Sequence, residues 1–192
     1  MNLHDKLILT DVDGVLLAWE HAFDEWMFFQ GYKKVRDDIY GMDETYGITR
    51  EESEYLVNRF NQSAWVGWFS PYRDAYKYVR KLHEEHGFVF RCITSFEQDM
   101  YSVRLRTMNL HNIFGQHLFE SIHCIGMDDK GDYLDPYRDT GCVWLEDKIK
   151  NCEKGVERGL NSFIFTHPYN AHYENPNVTR VANWRELYDH IT

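Results

Sequence analysis

The sequence predicts an α/β fold: a Rossmann-like, mainly parallel sheet with helices on both faces, plus a small helical cap inserted after the first strand. Three observations carry this. From residue 71 onward, short apolar runs alternate with helix-periodic segments, as in βα units of a parallel sheet. Between residues 17 and 70 the alternation stops, leaving two helical patterns and no strand pattern. The first apolar run, KLILT at 6–10, ends in Asp11-Val12-Asp13-Gly14, which reads as a buried strand entering a tight turn. Residues 1–16 and 71–192 are thus expected to form the core and 17–70 the cap.

Each element has its own signal. Trp19, Ala22, Phe23, Trp26 and Met27 recur at helical spacing. Thr49 with Glu52 makes a capping box that opens a second helix, with Tyr55, Leu56 and Phe60 on one face. Tyr72, Ala75, Tyr76, Val79 and Leu82 mark a third helix closed by Gly87. FVFRCIT at 88–94 is a buried strand, and a helix follows within 97–111. Strands are expected at 119–125, 142–145 and 162–165. Ile149, Cys152 and Val156 form a helix ending at Gly159, and Asn183 starts a last helix with Trp184, Leu187 and Ile191.

The chain has 192 residues, enough for one core with a small insertion. Its 31 acidic and 21 basic residues give a net charge of −10. That argues against tracking along a nucleic-acid polymer, which needs basic surface to displace counterions. It also argues against docking on an anionic membrane. No run approaches the roughly 20 apolar residues of a membrane span, and MNLHDKLILTDVDG does not read as a signal peptide. None of the four cysteines forms a C-x-x-C pair. Cys92, Cys124 and Cys142 lie in apolar stretches and read as buried, reduced thiols, which places the protein in the cytoplasm. A monomer or homodimer is expected.

Ligands of an open α/β sheet bind beyond the carboxyl ends of its strands. The polar residues just after the apolar runs are Asp11 and Asp13, then Thr94 and Ser95, then Glu146 and Asp147. The acidic loop 127–141 adds Lys130, the only lysine between Lys81 and Lys148. Asp11 and Asp13, two apart on an extended segment, face the same side. Clustering them with Glu146 and Asp147 calls for a cation, and all-oxygen ligands suit Mg²⁺. Such a site suits phosphoryl transfer: a carboxylate attacks phosphorus, a second exchanges the proton, and a hydroxyl and an ammonium hold the phosphate oxygens. Taken singly, each group has a plainer reading. Asp11/Asp13 fit a turn, Thr94/Ser95 and Glu146/Asp147 fit helix caps, and Lys130 fits a solvated loop. Their ordered set favours chemistry.

That set resembles the haloacid dehalogenase-like phosphatase superfamily. DVDGVLL matches its first motif, ITS at 93–95 its second, Lys130 its third, and WLED at 144–147 with Asn151 its fourth. Nearly the whole chain is covered. The fourth motif is usually two aspartates or Gly-Asp, so Glu146 departs from the pattern and Asp147 is the implied direct ligand. The resemblance implies Asp11 as nucleophile and Asp13 as acid/base. It implies Thr94, Ser95 and Lys130 as phosphate ligands, with Mg²⁺ held by Asp11, the Asp13 carbonyl and Asp147. Within the superfamily the chain is most similar to the 5′(3′)-deoxyribonucleotidases, through DVDGVLLAWE, TSF and Asp129-Lys130. This implies a nucleoside monophosphate as the small phosphorylated substrate. Trp19, Trp65, Trp68 and Phe69 of the cap would stand around the base, although helix-spaced aromatics such as Trp19, Phe23 and Trp26 are more often core. The alternatives are another small ester such as a sugar phosphate, a polynucleotide end, or a non-catalytic module of the same fold. His167 and His172, in THPYNAHYENP, read as surface residues.

Overall fold

The computed structural model describes residues 6–192. Strand β1 (Leu7–Thr10) is buried along its whole length, as expected of an apolar run covered on both faces. It pairs in parallel with β2 (Val89–Thr94) on one side and β4 (Val143–Glu146) on the other. With β3 (Phe119–Cys124), β5 (Asn161–Phe165) and β6 (Val178–Val181), the order across the sheet is β3-β2-β1-β4-β5-β6, and every pairing is parallel. The chain therefore builds outward from β1 in one direction, then crosses back to β4 and builds in the other. The reversal point lies between β1 and β4, where open α/β sheets form their ligand crevice.

Alternation along the strands sends apolar residues to both faces. Ile8, Phe90, Cys92, Val143, Leu145, Phe163 and Phe165 share one core cluster. They pack with α4 (Ala75–His86), α5 (Met100–Phe114) and α8 (Trp184–Ile191) through Val79, Leu82, Leu110, Phe114, Trp184 and Leu187. Leu7, Leu9, Ile93 and Trp144 point the other way, toward Leu134 of α6 (Lys130–Leu134). On that side, α7 (Ile149–Val156) accepts the Trp144 indole N–H at Asn151 O, 3.0 Å away. Residues 17–70 contribute α1 (Trp19–Phe29), α2 (Met42–Tyr46), α3 (Arg50–Asn61) and a 3-10 turn at Ala64–Trp68. The two ends of this segment leave side by side: Ala18 N donates to Ser70 O at 2.9 Å, and Tyr72 N donates to Leu16 O at 2.8 Å.

Several expected signals appear as hydrogen bonds. Thr49 accepts from Glu52 N at 3.2 Å, Asn183 accepts from Glu186 N at 2.9 Å, and Gly87 closes α4 in the left-handed conformation. Other details differ. The helix expected within 97–111 runs three residues later, because Asp99 caps it by accepting from the amides of Tyr101 and Ser102. Tyr55 and Tyr76 are exposed rather than on the buried stripes. Cys124 is half-buried, whereas Cys92 and Cys142 are buried as expected. Helices α2 and α6 have five residues each, too short for a period to register, and β6 is an edge strand whose Thr179 and Arg180 hide it. No helix among the described residues is long and apolar enough to cross a membrane.

Gly155 lets α7 close onto the sheet. A methyl group there would meet the Trp144 ring and lie 2.6 Å from Ser162 Oγ. Gly155→Ala should destabilise the protein by about 1–3 kcal/mol, despite alanine's better helix propensity. Thermal unfolding followed by circular dichroism checks this; an unchanged midpoint would show that α7 can move away at no cost.

Candidate active site

The carboxyl ends of β1 and β4 meet at the reversal point. Asp11 N donates to Leu145 O at 2.9 Å, extending the ladder one residue past β1 and setting Asp11 beside Glu146. Lys130 enters from below. Asp129 caps α6 by accepting from Gly131 N at 2.6 Å, and Lys130, the first residue of that helix, is buried. Its ammonium lies 2.7 Å from Asp11 Oδ2 and 2.7 Å from Glu146 Oε1. Burial works against the lysine's charge, but Asp11 and Glu146 outweigh it and hold the proton more firmly than in water. Glu146 Oε2 accepts from the amides of Asp147 and Lys148 at 2.8 and 2.7 Å, so both of its oxygens are occupied.

Asp13 is held differently. Arg106 of α5 grips it with both arms, Nη1 to Oδ1 at 2.6 Å and Nη2 to Oδ2 at 3.0 Å. Between Asp13 and Asp147, Gly14 takes φ +75°, and a Cβ there would lie 2.8 Å from Asp147 Oδ2. Glycine is thus required both by the turn and by the closeness of the carboxylate.

The loop after β5 supplies a third wall that the polarity of 166–176 concealed. His167 is buried, contrary to the surface position expected for it, whereas His172 is exposed. The His167 ring stacks between Tyr72 and Tyr169, with centroids 5.1 and 4.8 Å away. Its Nε2–H donates to Gly14 O at 2.9 Å, which leaves Nδ1 to accept from the Tyr72 hydroxyl at 3.4 Å. Burial lowers its pKa to about 4, so the ring is neutral. The Tyr169 hydroxyl donates to Asp147 Oδ2. Asn170 Nδ2 donates to Asp147 O and Phe165 O, both at 2.7 Å, tying this loop to the end of β4. From 17–70 comes Tyr40, set edge-on to Tyr169 at 5.2 Å with Lys148 Nζ 4.5 Å from its ring. Burial of its hydroxyl end, then the charges of Asp147, Glu146, Asp11 and Asp13, push that phenol well above its usual range. Half of the residue nevertheless remains open to solvent.

The other expected residues fall as follows. Thr94 is buried at the end of β2, and the register Thr10↔Cys92 sets it level with the 11–13 turn. Ser95 is exposed. Trp19 lies in the aromatic cluster of 17–70, stacked on Phe23 at 4.8 Å, with its indole N–H donating to Asn61 Oδ1 at 2.9 Å. Trp65 leans on Phe29, Trp68 is 83% exposed, and Phe69 is buried against Phe60. Sequence reasoning missed Arg106, His167, Tyr169 and Tyr40. Two had signals: His167 stands two residues after the SFIF strand, and Arg106 shares a helical stripe with Leu110 and Phe114.

Asp11, Glu146 and Asp147 each offer an oxygen, all within 4.8 Å of one another and buried. Desolvation dominates at each, and raises both Asp11 and Asp147 to about 6 and Asp13 likewise. Four carboxylates face the two cations Lys130 and Arg106, leaving two uncompensated negative charges. One divalent cation would balance them, and the hard oxygen donors suit Mg²⁺.

No family model matches the chain. An uncharacterized 32.4 kDa protein of Enterobacteria phage T4 is 25% identical over 167 residues, 78% of this chain and 56% of that protein. The chain thus spans about half the length of this curated relative. Among solved structures, a haloacid dehalogenase-like hydrolase of Streptococcus pneumoniae matches with a TM-score of 0.64 at 12% identity, over 97% of this chain and 98% of that one. A predicted phosphoglycolate phosphatase of Haemophilus somnus gives 0.64 at 13%, over 97% and 98%. CbbY of Rhodobacter sphaeroides, in complex with phosphate, gives 0.60 at 17%, over 95% and 96%. The chain has the haloacid dehalogenase-like fold.

The crowded carboxylates carry a stability consequence with a definite sign. Asp11, Asp13 and Asp147 titrate near 6 in the folded chain, against an ordinary 3.8. The folded state therefore binds more protons, and this contribution to stability is present below pH 4 and lost as pH rises through 6. In chelator at pH 7, Asp147→Asn should stabilise the fold, on the order of 1–3 kcal/mol. The gain should disappear below pH 4. Denaturant unfolding at pH 3.5 and 7 measures both; a variant less stable than the parent at pH 7 would refute the account.

Proposed function

We propose that this chain is a Mg²⁺-dependent phosphomonoesterase working through an aspartyl-phosphate on Asp11, with nucleoside monophosphates as its substrates. The observation that carries the reading is Lys130, buried and 2.7 Å from both Asp11 and Glu146, with Asp147 in ligand range at the reversal point of the sheet. A purely structural ion pair would not require the adjoining excess of negative charge.

In the first half-reaction, an Asp11 oxygen bonds to phosphorus as the ester P–O bond breaks. The departing oxygen keeps that electron pair and takes a proton from Asp13. In the second, Asp13 receives a proton from water as the water oxygen bonds to phosphorus, and the Asp11–phosphorus bond breaks. Lys130 and the Thr94 hydroxyl, with Ser95 beside it, would hold the phosphoryl oxygens. Asp11, the Asp13 carbonyl and Asp147 would hold the cation, with Glu146 in reach. When bound, the metal offsets the carboxylates and draws charge from the phosphate.

The nucleotide preference is supported by the aromatic residues of 17–70, which we read as the cap. Tyr40 in particular presents a half-open ring beside Tyr169, whose hydroxyl bonds Asp147, and stacking a base on such a ring contributes about 1–3 kcal/mol. Sugar phosphates are the second reading, favoured by the likeness to Rhodobacter sphaeroides CbbY, solved also with xylulose-(1,5)bisphosphate. The absence of C-x-x-C pairs and the apolar settings of the cysteines support a reducing cytoplasm.

Purified protein screened on phosphorylated metabolites, with and without Mg²⁺, should release phosphate only with the metal and fastest from nucleoside monophosphates. Preference for sugar phosphates would favour the second reading. Asp11→Asn should abolish p-nitrophenyl phosphate hydrolysis while leaving the circular dichroism spectrum unchanged. Turnover comparable to the parent's would sink the aspartyl-phosphate mechanism.

A further inference from the structure

Arg106 is an unusual residue to find at full burial, and the way it is held indicates what it does. Its side chain is 0% exposed. Phe69 and Phe96 lie on it, with ring centroids 4.9 and 4.3 Å from the guanidinium carbon. Its Nε has no hydrogen-bond partner among the described residues, and both terminal nitrogens go to the same carboxylate, 93 residues away. Asn109, on the same face of α5, donates to Phe69 O at 3.0 Å and fixes one of the two rings. A buried guanidinium that leaves an N–H unpaired gives up stability for its placement. This one is held flat by aromatic rings, with its planar fork matched to Asp13.

We propose that Arg106 is a positioning residue for the acid/base step. It acts through Asp13, setting the direction in which that carboxylate presents its oxygens to the ester. The inference rests on the phosphatase reading above. Nη1 lies 2.6 Å from Oδ1 and Nη2 3.0 Å from Oδ2, so both oxygens are held in the plane of the fork. Lysine at 106 keeps the charge but cannot hold both oxygens in one plane. The ring of Phe96 and the ring of Phe69, which stands at the return of the 17–70 segment, complete the clamp.

The test is a leaving-group series with Mg²⁺: p-nitrophenyl phosphate, phenyl phosphate and a nucleoside monophosphate. A p-nitrophenolate departs without a proton, whereas an alkoxide requires one. Arg106→Lys should lower kcat/KM on the nucleotide about 10- to 100-fold more than on p-nitrophenyl phosphate. Phe96→Leu, which keeps the charge pair and loosens the sandwich, should show the same trend more weakly and serves where Arg106→Lys does not fold. On an Asp13→Asn background, Arg106→Lys should add no further leaving-group dependence, because the two residues act as a unit. An active parent whose folded variants lose kcat/KM equally on all three esters overturns the positioning role alone, because kcat/KM reports the ester-cleaving half-reaction and not the shared hydrolysis of the aspartyl-phosphate. A parent with no turnover on any of them overturns the phosphatase reading and this role with it.

Discussion

The ammonium of Lys130, set between Asp11 and Glu146, is the contact on which the rest of the arrangement depends. It joins the first residue past β1 to the last residue of β4, and it does so from a helix on one face of the sheet. Without it, two buried carboxylates at neighbouring strand ends would repel one another across the reversal point. Desolvation alone already pushes both toward their neutral forms. The lysine is in turn fixed by an Asp129 cap on a five-residue helix. So short a helix gains little from its own backbone hydrogen bonds, and its stability comes from Leu134 packed beneath the sheet. Core packing on one face is thereby converted into a placed charge at the edge.

A second cation performs the same service for the second aspartate, from the opposite face and by a different device. Lys130 is a compact point charge shared by two carboxylates, whereas Arg106 is a planar fork devoted to one. The difference lies in how each carboxylate is held. A shared ammonium leaves Asp11 one oxygen without a charged partner, whereas a fork restrains how Asp13 can turn. Neither pair is an economical way to stabilise a fold, because burying charges costs desolvation that apolar residues of similar volume avoid. Keeping both, together with two further negative charges, is a cost that the stability of the fold alone does not explain.

The parts legible in sequence are those in which chemistry and secondary structure coincide. Asp11, Asp13, Glu146 and Asp147 each follow an apolar run directly, so a rule about strand ends finds them without three-dimensional knowledge. Lys130 was found by elimination among lysines, although the helix that carries it was too short to register. Arg106 was invisible to that rule because it sits in mid-helix, far along the chain from its partner. Only its place in the stripe of Ser102, Asn109, Leu110 and Phe114 marks it as facing inward. Tyr40 had no signal at all: it lies in irregular backbone between α1 and α2, where no period constrains side-chain direction. His167 was misread because a polar loop suggests solvent, whereas here two tyrosine rings shield the imidazole and Gly14 O binds it.

The aromatic residues of 17–70 follow from the same logic of coverage. Trp19, Phe23, Trp26 and Phe60 satisfy one another in a stacked and edge-on cluster, which is what helix-spaced rings do when two helices must share a small core. Phe69 extends that cluster and also lies on Arg106. The segment's return is pinned beside its exit by the Ala18–Ser70 and Tyr72–Leu16 hydrogen bonds. A displacement of 17–70 about that neck therefore carries the Phe69 ring with it, and the ring is one of the two surfaces that keep the guanidinium flat against Asp13. The packing of the insertion and the orientation of the proposed acid/base are, through this one phenylalanine, a single mechanical unit.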